Sequence, residues 1–281
     1  MMTAFKVTSE ILEESDNTAQ TFQDGSVLSE FSFKYPSYML TFLDNHENNK
    51  YDDDNDLDID RQQEGVLQIE HNISTNLELV GLQIWRGAFL LADYILSNPD
   101  LFRQKKVLEL GSGVGLTSIV AGILASDVIC TDINDGGILK MIQRNFIRNN
   151  SYVKARFSVE ELNFFNLTWS SNQHKKFNEE IDIILAADVI YDDKITDAFI
   201  DTLVKLLSGK PQKTAYISLE KRYVFTIADM DTVAPMYEEF LSCIKKKNCN
   251  WSVEYVQLDF PRYFKYNRTK HMVLMKIENK T

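Results

Sequence analysis

Val107-Leu108-Glu109-Leu110-Gly111-Ser112-Gly113-Val114-Gly115 is the stretch that decides how this chain folds. Its apolar start reads as a strand buried on both faces, and the glycines after it read as a sharp turn into a helix. Glycine suits such a turn because it accepts positive φ without a steric cost and lets a ligand press against main chain where a Cβ would otherwise stand. A second apolar strand ends at Asp132, where a carboxylate suits the paired hydroxyls of a ribose. Together these features predict a nucleoside-binding site at the end of a sheet.

Working outward, strands and helices alternate. Strands are expected at 106–110, 127–131, 154–159, 181–187 and 213–219, with helices near 115–125, 136–149, 193–208 and 232–247. Such alternation builds a parallel sheet wound with helices on both faces. The last two alternating segments, Ser252 to Leu258 and His271 to Ile277, have no helix between them and are expected to pair antiparallel at the sheet edge. The fold class is therefore α/β, a seven-strand Rossmann-like sheet of the methyltransferase kind, mostly parallel with an antiparallel C-terminal hairpin. Upstream, Ala88 to Leu96 has helical spacing and stops before Asn98-Pro99, Val66 to Glu70 reads as a short strand, and Ser26 to Leu43 as one or two strands. Three regions follow: a small, β-rich N-terminal extension over 1–43, an acidic linker over 44–64 and a catalytic-type domain over 65–281.

Glycine spacing separates two ligands that use this kind of turn. Dinucleotide sites want G-x-G-x-x-G, with helix amides free to hold a pyrophosphate. This chain has G-x-G-x-G, with Leu116 where the last glycine would stand and Glu109 two residues before the first. S-adenosyl-L-methionine carries no phosphate but does carry an ammonium and a sulfonium, so acidic residues around the turn favour it as the cofactor, with S-adenosyl-L-homocysteine as product.

In open α/β sheets the ligand lies beyond the carboxyl ends of the strands, so residues after the fourth strand face the reacting group. Here the sequence is Ala186-Ala187-Asp188-Val189-Ile190-Tyr191-Asp192-Asp193. It lacks the paired prolines used to hold flat amide-like nitrogens. An Asp-x-x-Tyr segment suits an amine on a flexible stem: Asp188 orients the loop or attracts an ammonium, and Tyr191 walls a narrow channel. Plainer readings stand beside these. Trp85 is a packing residue, Tyr191 caps the sheet edge, Asp188 is the N-cap of the next helix, and Glu220-Lys221-Arg222 is either a substrate-shaping loop or a solvated turn.

Glu109 to Gly115, Asp132 and Asp188-Val189-Ile190-Tyr191, with Trp85-Arg86-Gly87-Ala88 upstream, resemble the seven-strand protein lysine methyltransferases that share an Asp/Glu-x-x-Tyr/Phe motif. The resemblance runs from about Val66 to the end of the chain. It implies that Trp85, the Gly111-Ser112-Gly113 turn, Asp132 and Ala187 contact the cofactor. Where that family has Leu-Asp-Trp this chain has Leu162-Asn163-Phe164, which implies Asn163 at an adenine edge and Phe164 stacked on the ring. The implied activity is that of a protein-lysine N-methyltransferase, with Asp188 and Tyr191 positioning the target amine. The implied partner is a protein bearing that lysine.

Composition narrows the field. Of 281 residues 44% are hydrophobic, enough for a core, and the net charge of −11 argues against a protein that grips nucleic acid phosphates. A neutral or basic partner fits better. The densest acidity, Asp44 to Asp60, is expected to be a solvated linker. Three cysteines without a C-x-x-C pair and four scattered histidines predict neither disulfides nor a metal site. With no apolar stretch near ~20 residues and an acidic N-terminus, the expected protein is soluble and intracellular; monomer is the default because nothing in the sequence marks an interface, and the resemblance implies a nuclear role beside a cytoplasmic one. Two other functions remain open at this stage: a cofactor-binding scaffold without catalysis, and methylation of a histidine or a small molecule.

Overall fold

The computed structural model describes residues 6–11, 18–39, 64–226 and 231–280, so the acidic run from Asp44 to Asp60 lies outside the described residues. The N-terminal part holds strands β1 (Val7–Thr8), β2 (Thr18–Thr21), β3 (Ser26–Lys34), β4 (Glu64–Asn72) and β5 (Ser74–Thr75), then a 3-10 turn over Leu77–Leu82. Helices α1 (Arg86–Ser97) and α2 (Pro99–Phe102) lead into β6 (Lys106–Leu110), α3 (Leu116–Ala121), β7 (Asp127–Asp132), α4 (Ile138–Arg148) and β8 (Arg156–Glu161). The chain continues through α5 (Ser171–His174), β9 (Ile183–Ala187), α6 (Asp193–Leu207), β10 (Thr214–Glu220), a small hairpin of β11 (Val224–Thr226) and β12 (Asp231–Val233), α7 (Pro235–Lys246), β13 (Trp251–Tyr255) and β14 (Met272–Asn279).

The main sheet has seven strands in the order β13-β14-β10-β9-β6-β7-β8. β6 to β10 run parallel, whereas β14 is antiparallel to both of its neighbours and fits between β10 and β13. Alternation within the strands makes two cores: Val107, Ile183 and Leu185 face one, with α1, α3 and α4, while Leu108, Leu110, Ile184 and Ala186 face the other, with α6 and α7. This is the mostly parallel, doubly covered sheet expected from the sequence. All four helices after the glycine turn are shorter than their apolar patterns predict, α3 and α7 the most. α3 stops at Ala121, where the bonding tightens: Ile123 N–H donates to the Val120 carbonyl and Leu124 N–H to that of Ala121, while the Gly122 carbonyl accepts from Lys154 and Ala155 N–H. α7 starts only at Pro235, because Asp231–Val233 pairs with Val224–Thr226.

β3 and β4 pair in register from Ser26 with Asn72 to Lys34 with Glu64. Glu64 thus belongs to a strand, not to the linker. Phe31 and Phe33 of this sheet reach Phe89 of α1 and Phe264, with ring centroids 5.3 Å apart in both the Phe31–Phe89 and the Phe33–Phe264 pair. Such pairs add roughly 0.5–1.5 kcal/mol each to area burial, and they tie the N-terminal sheet to the helix that carries Trp85 at its cap. The outer edge of β4 is covered by side chains. Asn145 accepts from Glu70 N–H (2.7 Å) and donates to its C=O (2.9 Å), and Asn149 does the same with Gln68 (2.9 and 2.8 Å). The match is geometric: four residues rise about 6 Å along a helix and two rise about 6.8 Å along a strand.

The stretch Leu77–Ser97 corrects one expectation. Its 21 residues are apolar and long enough, by composition, for a bilayer span. They form two elements interrupted at Gln83-Ile84-Trp85, and 72% of the window is buried inside the fold.

Candidate active site

A cavity of about 370 Å³ opens at the carboxyl ends of β6, β7 and β9, where ligands of open α/β sheets bind. All eleven residues singled out from the sequence line it: Trp85, Glu109, Gly111, Ser112, Gly113, Asp132, Asn163, Phe164, Ala187, Asp188 and Tyr191.

The glycine turn takes its form from close approach. Gly111, Gly113 and Gly115 have φ of 61°, 55° and 86°, the left-handed region that glycine enters freely. A Cβ on Gly113 would also stand 2.9 Å from the carbonyl oxygen of Gly81. The turn is laced to the next strand: Ser112 N–H donates to the Thr131 carbonyl (2.9 Å), and Gly113 N–H donates to Asp132 Oδ2 (2.8 Å). Asp132 Oδ1 accepts from Ile133 N–H at 2.8 Å. Burial pushes the Asp132 carboxyl up to about 6, against the pull of those two amides. Glu109 is almost fully buried and accepts from the Ser118 hydroxyl; burial raises its carboxyl to about 7.

At the end of β9 the arrangement differs. Asp188 has φ of 52°, and both of its oxygens hold main chain: Oδ2 accepts from Gly87 N–H (2.6 Å) and Oδ1 from Glu220 N–H (3.0 Å). Ser218 hydroxyl donates to the Gly87 carbonyl at 2.7 Å, Arg86 pairs with Glu220 at 2.9 Å, and Thr269 hydroxyl donates to Glu220 at 2.8 Å. The first turn of α1 is thereby stapled to two strand ends. Of the two uses the sequence left for Asp188, orienting the loop and attracting an ammonium, these bonds are those of the first. The N-cap alternative fails, because α6 is capped by Asp192, which accepts from Lys194 and Ile195 N–H at 3.0 Å each. Burial raises Asp188 to about 6. Tyr191 rises to about 12, through burial first and then the charges of Asp132 and Asp192.

Aromatic walls complete the cavity. Trp85 donates from Nε1 to the Val80 carbonyl (2.9 Å). Phe164 packs on Phe199 with centroids 5.4 Å apart. Asn163 is exposed, and its Oδ1 accepts from Phe165 N–H at 2.9 Å.

With this geometry fixed, comparison with known proteins is decisive: the model of the lysine methyltransferase family matches residues 61–247. The chain belongs to the lysine methyltransferase family. Methyltransferase-like protein 22 of Homo sapiens is 39% identical to it over 233 residues, covering 75% of this chain and 57% of that protein. The EEF1A lysine methyltransferase 3 of Xenopus tropicalis is 31% identical over 183 residues, covering 65% of this chain and 75% of that one. The calmodulin-lysine N-methyltransferase of Arabidopsis thaliana is 33% identical over 150 residues, covering 52% and 48%. The chain thus spans 57% of the length of the first of these relatives.

In this lysine methyltransferase family member the sequence reading missed one wall. Glu78 to Ile84 line the cavity as a strap leading into Trp85. Its signal was Gly81, a lone glycine in the apolar run Leu79 to Leu82, which lets the strap lie against Gly113. Ile133, Phe165 and Ile195 also line the cavity and were not foreseen.

Proposed function

We propose that this protein transfers a methyl group from S-adenosyl-L-methionine to the ε-amine of a lysine in a protein substrate, leaving S-adenosyl-L-homocysteine. The observation that carries the proposal is the convergence on one cavity of the glycine turn with Asp132 and of the stapled Asp188-x-x-Tyr191 segment. The residues fit that cofactor. Asp132 would meet the ribose hydroxyls, Gly111 and Gly113 keep the wall free of side chains, buried Glu109 once ionised would supply negative charge, Asn163 and Phe164 would meet the adenine, and Ala187 would leave room beside it. When bound, the cofactor supplies a methyl group already activated by its sulfonium.

What the chain adds is alignment and exclusion of water, and holding reactants in line contributes at most roughly 7–11 kcal/mol. Asp188 fixes α1, and with it Trp85, against the ends of β9 and β10. Tyr191 walls the approach of the target amine, and removing that amine from water lowers its pKa toward the neutral, nucleophilic form. Relatives named for EEF1A and for calmodulin support a protein substrate, and the net charge of −11 favours a basic one.

The test is incubation of the purified protein with S-adenosylmethionine labelled on its methyl group and a methyl-poor cell lysate, with Asp132→Ala as control. Label in a discrete protein band, absent from the control and mapping to lysine, is the expected result. Label on histidine or on a small molecule, or none from a protein that binds the cofactor, overturns the lysine reading.

A further inference from the structure

The N-terminal strand meets the wall of the cavity from behind. Val7 and Thr8 pair with Thr75 and Ser74, and the buried Gln83 side chain donates to the Val7 carbonyl (3.1 Å) and the Thr75 hydroxyl (2.7 Å). Ser9 N–H donates to Gln83 Oε1 at 2.7 Å, Ser9 hydroxyl donates to the Ile84 carbonyl, and Ile11 is buried in the core. These bonds reach the strap whose residues Glu78 to Trp85 line the cavity.

Between Ser9 and Ile11, Glu10 accepts from the Arg222 guanidinium at 3.1 and 3.4 Å. The same guanidinium carbon lies 5.0 Å from the centroid of the Trp85 ring. Trp85 is therefore fixed at its nitrogen by Val80 and covered on a face by Arg222. Arginine suits both contacts at once, since its planar fork matches a carboxylate while its face stacks on an aromatic ring. The ion pair is half exposed, with side chains 53% and 39% accessible, and a pair this open adds little to folding stability. Its effect is orientation.

We propose that Arg222 is a positioning residue for the cofactor cavity, held by Glu10 and holding the Trp85 indole, so that the N-terminal strand forms part of the site. The proposal rests on the reading of this cavity as the S-adenosylmethionine site. It also gives a use to the Glu220-Lys221-Arg222 turn, which the sequence left between a substrate loop and a solvated one.

The test is a double-mutant cycle on S-adenosylhomocysteine affinity, measured by calorimetry on the full chain for wild type, Arg222→Ala, Trp85→Ala and the double variant, each with its thermal midpoint. Arg222→Ala is expected to weaken binding by about three- to tenfold, with the midpoint nearly unchanged, and the loss is expected to vanish in the Trp85→Ala background. Arg222→Lys keeps the charge and is expected to restore part of the affinity, and Glu10→Gln to reproduce part of the loss. Should Arg222→Ala not fold, Glu10→Gln enters the same cycle. Failure of wild type to bind S-adenosylhomocysteine overturns the cavity reading itself. Wild-type binding with an Arg222→Ala variant that binds equally well, or that loses as much affinity without Trp85 as with it, overturns the clamp alone.

Discussion

The carboxyl ends of β7 and β9 carry the same residue type in similar surroundings, and the two residues do different things. Asp132 and Asp188 both line the cavity and are both raised by burial to about 6. Asp132 accepts from its own neighbour Ile133 and from Gly113, 19 residues away in the adjacent turn. Asp188 accepts from Gly87, 101 residues away, and from Glu220, 32 residues away. One carboxylate shapes a pocket wall; the other joins three elements. An electrostatic environment therefore does not assign a role, and the sequence distance of the hydrogen-bond partners separates the two.

The sharpest way to break this contrast is Asp188→Ala. It leaves two inward amides without acceptors and places alanine at a positive φ, so a loss of about 3 kcal/mol is expected in chemical denaturation. An equal loss in Asp132→Asn, which keeps an acceptor for Gly113 N–H, would erase the distinction. Asp132→Asn is expected instead to weaken S-adenosylhomocysteine binding by about 10- to 100-fold, the worth of a hydrogen bond to a charged group, with under about 1 kcal/mol lost in stability.

A pH series sharpens the comparison next. Asp132, Asp188 and Glu109 have folded-state values of about 6, 6 and 7, above the unfolded carboxylate range near ~4. The folded protein then holds more protons than the unfolded one between those values, so their contribution to stability is present below about pH 4 and fades as pH rises toward 7. Cofactor affinity runs the other way, because Glu109 and Asp132 must ionise to meet a cation and ribose hydroxyls. The thermal shift produced by S-adenosylhomocysteine is therefore expected to be larger at pH 7.5 than at pH 5.5; a shift that grows on acidification contradicts the assignment of these two groups. The smallest effect belongs to Asn163→Asp. Its oxygen already turns back to Phe165 N–H on an exposed loop, so affinity is expected to change by less than about threefold, within the range of a solvent-screened charge.

What the sequence made legible was local. The glycine turn needs positive φ at Gly111, Gly113 and Gly115, and nothing but the spacing of those residues is required to see it. The strand ends follow from apolar runs, which is why Asp132, Ala187 and Tyr191 could be placed at one rim. The strap over Leu77–Leu82 left only the lone Gly81 to read, because its conformation is set by close approach to Gly113 and by Gln83 N–H donating to the Val80 carbonyl, contacts that no periodicity encodes. The position of β14 inside the sheet and the pairing of Lys34 with Glu64 across residues 35–63 are also set by distant partners. Asp188 lay between: its location was readable, its two amide partners were not.

Asn145 and Asn149 carry a further consequence. β4 is an outer strand of its three-stranded sheet, and an outer strand with vacant amides is a template on which a second molecule can add its own strand. Here two carboxamides occupy Gln68 and Glu70, and the Tyr152 hydroxyl accepts from Val66 N–H at 3.0 Å. Asn145 of α4 and Asn149 at its C-cap thus occupy the amides and carbonyls on which a further strand would have to build.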